Sequence, residues 1–285
     1  MDPLGYVIPA ETQAEPRRQR AHAVVRVEFA RVGERTEAAR VFETGGLRVK
    51  FPNAARPCQA VIVNTGGGIA GGDRAQIDFA LGERAEAEIT TQSAEKIYRA
   101  EGEAAMIATR LVLGAGAKLD WLPQETILFD KARLQRRLDV DVAADAALLI
   151  VECFVFGRAA MGEARVDAEV ADRWRIRRAG RLLFAEDMAL RRASAALDRV
   201  AVGDGASALA TLFVMAPNPE AVRDDLRIIF GRHECRPGER LEAGVSALDG
   251  YVVARAVSSA PCRLRAALLQ AIVSLRGRPA PRVWL

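Results

Sequence analysis

The sequence is poor in the side chains on which hydrolytic, redox and metal chemistry usually depend. Only two of its 285 residues are histidine, His22 and His233, so a Ser-His-Asp triad would have to use one of them. A Gly-x-Ser-x-Gly nucleophile elbow is missing, and the four cysteines form no Cys-x-x-Cys pair. The His-Glu-Cys triplet at 233–235 could contact a metal, but such triplets are more often incidental. These absences argue against a hydrolase and against a metal held by imidazoles.

Long apolar runs are missing as well. No stretch of 18 apolar residues occurs, so we expect no membrane-spanning helix. The first twenty residues contain no apolar run of signal-peptide length, and we expect residues 1–22 to form a flexible tail. Cys153 lies in an apolar run and is expected to be a core thiol. We therefore predict a reduced, cytoplasmic protein with no membrane partner.

Neither charge nor aromatic content points to one class of ligand. The 41 basic and 37 acidic residues leave a net charge of +4, which favours anionic partners only weakly. Aromatic residues make up 6% of the chain, so valine, leucine, isoleucine and alanine must fill most of the core. The length and the 50% hydrophobic content suit a substantial core, and we expect residues 23–285 to form one domain.

Most of the chain follows the pattern of β-strands. Residues 75–81 alternate apolar and polar side chains, as a half-buried strand does. Residues 173–183 have the pattern of a hairpin that turns at Ala179-Gly180. Glycine and aspartate interrupt the pattern about every ten residues, which is typical of a β-sandwich or a solenoid. The predicted fold class is mainly β.

A weak internal repeat favours the solenoid. Tight turns at 81–85, 113–117 and 142–146 recur at offsets of 32 and then 29 residues, and each precedes an apolar strand. Gln92 and Gln124 occupy equivalent positions after the first two turns. The alternative is that these are ordinary hairpin turns of a β-sandwich, and the sequence leaves both open.

Two α-helices are predicted near the C-terminus. Asn218 can cap the first, Pro219 suits its first turn, and Gly231 ends it. The second is expected over about 263–275, with Leu264, Leu268 and Ile272 on one face and Gly277 after it. That apolar face is a candidate partner surface, or it packs on the sheet.

Gly66 to Gly71 satisfies the Gly-x-Gly-x-x-Gly pattern of dinucleotide-binding loops. A nucleotide-dependent enzyme using this loop would need a helix after Gly71, because the helix N-terminus binds the pyrophosphate. The residues that follow instead alternate like a strand, and no Gly-Lys-Ser/Thr of a P-loop is present. We therefore expect these glycines to allow positive φ angles or close strand packing, and keep the nucleotide-dependent enzyme as an alternative.

Two further features have competing interpretations. Glu152 lies inside an apolar run, so it is either functional or part of a structural ion pair, for which Arg158 is a plausible partner. The ridge from Arg173 to Arg181 could make a nucleic-acid-binding protein, although the aromatic residues of a single-strand binder are missing. The same ridge could contact an acidic protein partner.

Five blocks between residues 64 and 284 combine glycine, polar and aromatic residues at high density. They are Asn64-Thr65-Gly66-Gly67 with Gly71-Gly72-Asp73, the segment from Thr91 to Arg99, Trp121-Leu122-Pro123-Gln124-Glu125, Phe156-Gly157-Arg158 with Met161-Gly162-Glu163, and Pro281-Arg282-Val283-Trp284. In this order they resemble the UreD (UreH) family of urease accessory proteins. The segment 68–70 departs from the family's glycine block. Without the resemblance, the block at 91–99 would be interpreted as a solvated loop.

The resemblance implies a β-rich, helix-poor scaffold that is not an enzyme. It implies direct binding to UreF, contact through UreF with the GTPase UreG, docking on apo-urease, and possible dimerisation of the assembled complex. It implies nickel only in transit. Because the glycine loop precedes a strand-like pattern and histidines are few, we also expect no tightly bound cofactor, and we expect no nucleic-acid partner. Such a scaffold should be poorly soluble alone and more soluble with UreF, because it hides apolar surface in the complex.

The resemblance also indicates which residues to examine. The candidates for a transient nickel path are the carboxylates in or near the blocks: Asp73, Glu95, Glu125, Glu152 and Glu163. The residues expected to have structural or supporting roles are Gly66, Gly67, Gly71, Gly72, Gln92, Lys96, Tyr98, Arg99, Gln124 and Arg158.

Overall fold

The computed structural model describes residues 20–52, 57–163, 165–232 and 236–285. The strands are β1 (His22–Val32), β2 (Arg35–Thr44), β3 (Leu47–Lys50), β4 (Cys58–Asn64), β5 (Arg74–Leu81), β6 (Glu86–Thr91), β7 (Glu95–Ile97), β8 (Ala105–Leu113), β9 (Lys118–Leu122), β10 (Thr126–Leu128), β11 (Arg133–Val142), β12 (Ala147–Phe156), β13 (Glu169–Arg178), β14 (Arg181–Leu190), β15 (Ala208–Met215), β16 (Leu241–Leu248) and β17 (Tyr251–Ser258). The helices are α1 (Ala193–Leu197), α2 (Pro219–Gly231) and α3 (Pro261–Arg276).

The strands form two sheets that face each other. Sheet A has the order β14-β13-β11-β8-β5-β1-β2, and sheet B has the order β16-β17-β15-β12-β9-β6-β4-β3. In sheet A the five inner strands run parallel and the two outermost strands are antiparallel to their neighbours. In sheet B the strands from β4 to β12 run parallel, whereas β3 pairs antiparallel with β4, and β15, β17 and β16 continue the sheet in antiparallel pairs. The short strands β7 and β10 pair with each other and form a third face, and β10 also pairs with the end of β12. The chain passes from sheet A to sheet B and back in successive coils.

The coils stack as a solenoid, and this confirms the predicted repeat. Strand β5 pairs with β8 at an offset of 32 residues, and β8 pairs with β11 at an offset of 29. The predicted turns stack in the same register, because the amides of Gly82, Gly114 and Ala143 donate to Phe29, Leu81 and Leu113, respectively, at 2.8–2.9 Å. The hairpin at Ala179-Gly180 is also present, between β13 and β14.

The main core lies between the two sheets. Alternate residues of each strand point inward, and aromatic side chains meet there. Phe79 of β5 lies 6.1 Å from Trp121 of β9, measured between ring centroids. Trp174 of β13 packs edge-on against Phe184 at 6.4 Å. Few aromatic residues are needed, because valine, leucine, isoleucine and alanine fill the remaining inward positions.

Both predicted C-terminal helices are present. The Asn218 side chain caps α2 by accepting from the amide of Ala221 at 3.4 Å, and Gly277 ends α3 with a φ of +60°. Helix α1 was not predicted. None of the helices in the described part of the chain has the length and hydropathy of a membrane span.

The apolar face of α3 is not a free partner surface. Leu264, Leu268 and Ile272 are at most 1% exposed and belong to a second core between the helices and sheet B. Of the two interpretations of this face, packing on the sheet is therefore correct. Burial of these side chains stabilises the fold by roughly 1.5–3 kcal/mol each.

The N-terminal boundary also needs a correction. Ala21 and His22 were assigned to a tail over residues 1–22, but the Ala21 amide donates to Asp73 and its carbonyl accepts from Arg74. His22 begins β1. These two residues are thus part of the first coil, while the rest of the predicted tail, apart from residue 20, lies outside the described residues.

Candidate functional site

The sequence blocks converge on one corner of the solenoid, which we call the motif corner. It consists of β7, β10, the end of β12 and the loops next to them. Glu95 pairs with Thr126, which pairs with Phe154 of β12. Leu128 in turn lies between Ile97 and Phe156. Residues that are distant in the sequence therefore become neighbours on successive coils.

The glycine loop packs directly against this corner. The amide of Ile69 donates to the carbonyl of Lys96, and the amide of Tyr98 donates to the carbonyl of Ile69. The Tyr98 hydroxyl donates to the carbonyl of Gly67 at 2.8 Å. A Cβ atom at Gly68 would lie 2.4 Å from the Tyr98 ring, and one at Gly71 would lie 2.5 Å from the side chain of Ala100. The loop therefore needs glycine for close approach.

The context of the glycine loop does not match a dinucleotide site. Strand β5 begins at Arg74, three residues after Gly71, and no helix follows the loop. Gly67 and Gly72 have φ angles of +73° and +84°, as expected for turn glycines, and the amide of Gly66 donates to the Asn64 side chain. The helix that would have supported a nucleotide-dependent enzyme is absent from this described segment.

Asp73 closes the same loop. One carboxylate oxygen accepts from the amide of Ala21 and the other from the amide of Ala70, both at 2.8 Å. The first of these hydrogen bonds joins the glycine loop to the residue before β1, and the second closes the loop on itself. In this geometry the carboxylate is part of the loop structure.

Glu95 is a partly buried carboxylate at the start of β7. One of its oxygens accepts from the side-chain amide of Asn64 at 2.9 Å and from the amide of Lys96 at 3.2 Å. Burial has the larger effect, so the pKa of Glu95 is raised above its ordinary value. The carboxylate thus lies in a site that disfavours its charge.

Arg158 and Glu163 form an ion pair at the same corner. The Arg158 Nε atom lies 2.8 Å from Glu163, and the guanidinium stacks 3.9 Å from the centroid of Phe129. The pKa of Glu163 is lowered, first by the hydrogen bond from Arg158. Arg158 was predicted to pair with Glu152; that pairing is wrong, because the two residues belong to different clusters.

Of the remaining predicted residues, Tyr98 packs against a neighbouring ring, and three others have exposed side chains. Tyr98 packs edge-on against Phe129 with centroids 5.2 Å apart. Lys96, Arg99 and Gln92 have exposed side chains. Gln92 is therefore not equivalent to Gln124 in its contacts, although the backbones occupy corresponding positions.

Gln124 and Glu125 hold the C-terminus of the chain. The Gln124 side chain donates to the carbonyl of Val283 at 2.6 Å and accepts from Arg265 at 2.8 Å. Arg265 also lies 2.7 Å from Glu125 and donates to the carbonyl of Trp284 at 2.9 Å. The block at 121–125 and the closing block at 281–284 are thus parts of one contact.

Glu152 lies in the interior between the sheets. It accepts from the indole of Trp121 at 2.7 Å and pairs with Arg136, which also binds Asp172 in a bidentate manner at 2.7–2.8 Å. Asp172 also accepts from the indole of Trp174 at 3.0 Å. Glu152 therefore does form a buried structural ion pair, as one of the two interpretations predicted. Its partner, however, is Arg136 and not Arg158.

The strand pattern of the sequence indicates that Arg136 and Asp172, the partners that sequence analysis missed, point into the core. Arg136 shares its strand face with the apolar Leu134 and Leu138, and Asp172 alternates with Val170 and Trp174. A charged residue at an inward position predicts a buried partner. The pairing itself depends on which coils stack, and the sequence alone did not indicate that Arg136, Glu152 and Asp172 meet.

A second buried charge cluster was also missed. Arg276 at the end of α3 contacts Glu88 of β6 and lies 2.8 Å from Asp120 of β9. Arg278 binds the same two carboxylates at 3.0 and 2.6 Å. Burial raises the pKa of Asp120, and burial together with the charge of Arg278 lowers the pKa of Arg276 to about 10. The cluster joins α3 to the outer face of sheet B.

The five candidate carboxylates do not form one metal centre. Among the described residues, no group of three or more histidine, cysteine, aspartate or glutamate side chains could hold a metal ion. Glu95 and Glu125 are neighbours, since the amide of Glu95 donates to the carbonyl of Glu125 at 2.9 Å. The predicted metal contact at 233–235 lies outside the described residues.

The chain is similar in sequence to known proteins. A family model described as UreD urease accessory protein matches residues 21–285. The chain belongs to the UreD family. Urease accessory protein UreD 2 of Methylorubrum populi is 44% identical over 288 residues, covering 98% of this chain and 96% of that protein.

Other UreD relatives are similar over comparable lengths. Urease accessory protein UreD of Beijerinckia indica subsp. indica is 45% identical over 267 residues, covering 93% of this chain and 97% of that protein. Urease accessory protein UreD of Rhodopseudomonas palustris strain HaA2 is 42% identical over 285 residues, covering 98% and 100%, respectively. The resemblance inferred from the five UreD blocks is therefore confirmed.

Proposed function

We propose that this protein is a non-enzymatic scaffold for urease maturation. It binds UreF directly, contacts the GTPase UreG through UreF, and docks on apo-urease so that nickel can enter the urease active site. The observation that supports this proposal most strongly is the convergence of the UreD blocks on the motif corner. There the side chains of Gln124, Arg158 and Glu163 bind other parts of the same chain, as expected of a framework.

Nickel is the cargo in this proposal and not a resident cofactor. Carboxylate and amide oxygens bind nickel less tightly than cysteine or histidine cages, so they suit transient passage. Glu125, Glu152 and Glu163 are each paired with an arginine. Asp73 accepts from two backbone amides, and Glu95 accepts from Asn64 and a backbone amide. An arriving cation would compete with no arginine at Asp73 or at Glu95. Glu95 is the first to test, because both of its hydrogen bonds go to one oxygen, whereas each oxygen of Asp73 accepts from an amide.

The remaining parts of the proposal concern partners and compartment. Hydrolysis of GTP is assigned to UreG, and assembled complexes are proposed to dimerise. A cytoplasmic location suits the free thiols of Cys58, Cys153 and Cys262. The buried face of α3 is excluded as the UreF contact, so that contact lies on another surface.

The proposal is tested by maturing urease in cells that express each variant with UreF and UreG. We expect Glu95→Gln to leave UreF binding intact and to lower the nickel content of the purified urease. The matched control is Glu83→Gln, whose carboxylate is exposed and lies in a turn away from the motif corner. Normal nickel content with all five substitutions, Asp73→Asn, Glu95→Gln, Glu125→Gln, Glu152→Gln and Glu163→Gln, would reject the path.

The scaffold part is tested separately by co-purification. Co-expression with UreF should raise the soluble yield and give a stable complex. A wild-type chain that behaves as a soluble monomer and does not bind UreF would contradict the proposed function, whatever the nickel measurements show.

A further inference from the structure

The outer face of sheet A is exposed to solvent. Its five central strands run parallel, and parallel sheets are ordinarily covered on both faces. Here the helices pack on sheet B, while outward residues of sheet A such as Met106, Gln135 and Ala171 are exposed. The packing of the protein's own core therefore does not explain why this face of a parallel sheet is left uncovered.

One row of this face consists of alternating charges. Neighbouring strands place Arg26, Asp78, Arg110, Asp139 and Arg175 side by side in register. Arg26 lies 3.0 Å from Asp78, and the three arginines and two aspartates of the row largely offset each other. Asp78 and Asp139 interrupt the row, so it lacks the continuous positive charge of a nucleic-acid-binding surface.

Beside this row the face is concave and apolar. Ala108, Ala171 and Ala189 are short outward side chains, and together with Met106 they line a groove of about 540 Å³. A second depression of about 410 Å³ adjoins it and shares Met106 and Ala108. We call the two together the sheet A groove. Its floor suits aliphatic side chains.

The edges of the groove have unbalanced positive charge. Asp187 is paired with Arg175 at 2.6 Å, and Asp78 with Arg26. Arg173, which lines the groove, has no carboxylate ion pair among the described residues. Arg137 binds Asp139 on its own strand, at 2.6 Å and outside the groove. Arg173 is therefore the groove cation with which a ligand carboxylate can pair.

We propose that the sheet A groove binds an extended segment of a partner protein in which aliphatic and acidic residues alternate. Side chains of an extended chain point alternately to opposite sides, so the aliphatic ones can enter the alanine floor. A carboxylate at the edge of such a segment pairs with Arg173, whose planar guanidinium can bind it in a bidentate manner. This binding surface is independent of the motif corner and of nickel.

The test uses the full-length chain and a fluorescein-labelled peptide of alternating leucine and glutamate, followed by fluorescence anisotropy. We expect saturable binding that weakens by at least about tenfold in Ala171→Leu, which fills the floor, and in Arg173→Glu. The matched controls are Ala185→Leu, exposed on β14, and Arg199→Glu, exposed after α1. Both controls should bind like the wild type, and all variants should keep the wild-type melting temperature.

Specificity is tested with two further probes. A peptide with lysine in place of glutamate should bind the double variant Arg137→Glu/Arg173→Glu more tightly than it binds the wild type. A single-stranded oligonucleotide should bind the wild type more weakly than the acidic peptide does.

Several results would overturn the proposal. They are failure of the acidic peptide to saturate the wild type, equal losses in groove variants and controls, and tighter binding of the oligonucleotide. Self-association of the chain that Ala171→Leu abolishes in sedimentation would show that a second copy occupies the groove instead. None of these results depends on UreF or nickel, so this proposal and the proposed function can fail separately.

Discussion

Arg136 and Glu152 form an ion pair across the interior between the two sheets, with side chains that are only 6% and 9% exposed. Arg136 is shared with Asp172, so one guanidinium compensates two carboxylates. Its pKa is raised because the attraction of both carboxylates outweighs the cost of burial. Arg136 is therefore the centre of this cluster.

Replacing Arg136 should be the most destabilising change in the interior cluster. Arg136→Met leaves two buried carboxylates without a cation and is expected to cost about 3–5 kcal/mol. Glu152→Gln should cost less, because the amide still accepts from Trp121 and Asp172 still pairs with Arg136. Urea unfolding measures both. Arg133→Met, on the exposed face of the same strand, is the control and should change stability by at most about 1 kcal/mol. Equal effects of the two arginine changes would contradict the assignment.

The C-terminal tryptophan should be a main anchor of the fold. Trp284 is 1% exposed, donates to the carbonyl of Leu122 at 3.0 Å, and has the Arg265 guanidinium 4.9 Å from its ring. Trp284→Ala is expected to cost about 3–5 kcal/mol in urea unfolding. Leu285→Ala, one residue further and 84% exposed, should stay within about 0.5 kcal/mol of the wild type. A mild effect at Trp284 would show that the closing block is not needed for the fold.

The close contact at Gly68 predicts a specific double-mutant result. Gly68→Ala forces the Tyr98 ring or the loop to move and should cost about 1–3 kcal/mol. Gly102→Ala, where an added Cβ atom meets nothing within 4 Å, is the control. Tyr98→Leu removes the ring edge, so the cost of Gly68→Ala should shrink in that background. If the two changes are additive, the Tyr98 ring is not the cause of the strain.

The raised pKa of Glu95 predicts that the difference in stability between Glu95→Gln and the wild type depends on pH, and it gives the sign of that difference. Its pKa is higher in the folded protein than in the unfolded chain, so the stability it contributes is complete below the unfolded pKa. That contribution is lost as the pH rises through the folded pKa. Glu95→Gln should therefore melt at a higher temperature than the wild type near neutral pH, and this difference should diminish in acid.

Thermal unfolding at about pH 7.5 and about pH 4 measures the effect of Glu95→Gln. The amide oxygen of glutamine can keep the hydrogen bonds from Asn64 and Lys96, so packing is little changed. Glu83→Gln, at an exposed turn, should show no such pH-dependent difference. A variant that is less stable than the wild type at neutral pH would refute the desolvation argument.

Much of the fold follows from local patterns in the sequence. The turn offsets of 32 and 29 residues equal the strand register offsets, because a parallel stack repeats each turn on the next coil. Asn218, Pro219 and Gly277 marked the helix ends through cap chemistry, which is also local. Helix α1 has five residues, too few to produce a clear apolar period.

The site was harder to predict because its contacts join distant residues. Arg276 contacts Glu88 over 188 residues, and Arg265 contacts Glu125 over 140. No local pattern specifies such pairs. Arg158 was assigned to Glu152 because it was near in sequence, yet Glu163, five residues further on, is its partner. The blocks identified the right regions, while the stacking of the coils decided which side chains meet.

The reversal of direction at the outer strands of sheet A has a consequence for assembly. A stack of parallel coils could in principle be continued by another molecule, as in a fibre, because each coil offers its successor a matching strand edge. At both ends of sheet A, however, the last strand, β2 or β14, runs antiparallel to its neighbour. An incoming coil would meet a strand of the opposite direction. The two hairpins therefore end the parallel stack of sheet A on both sides.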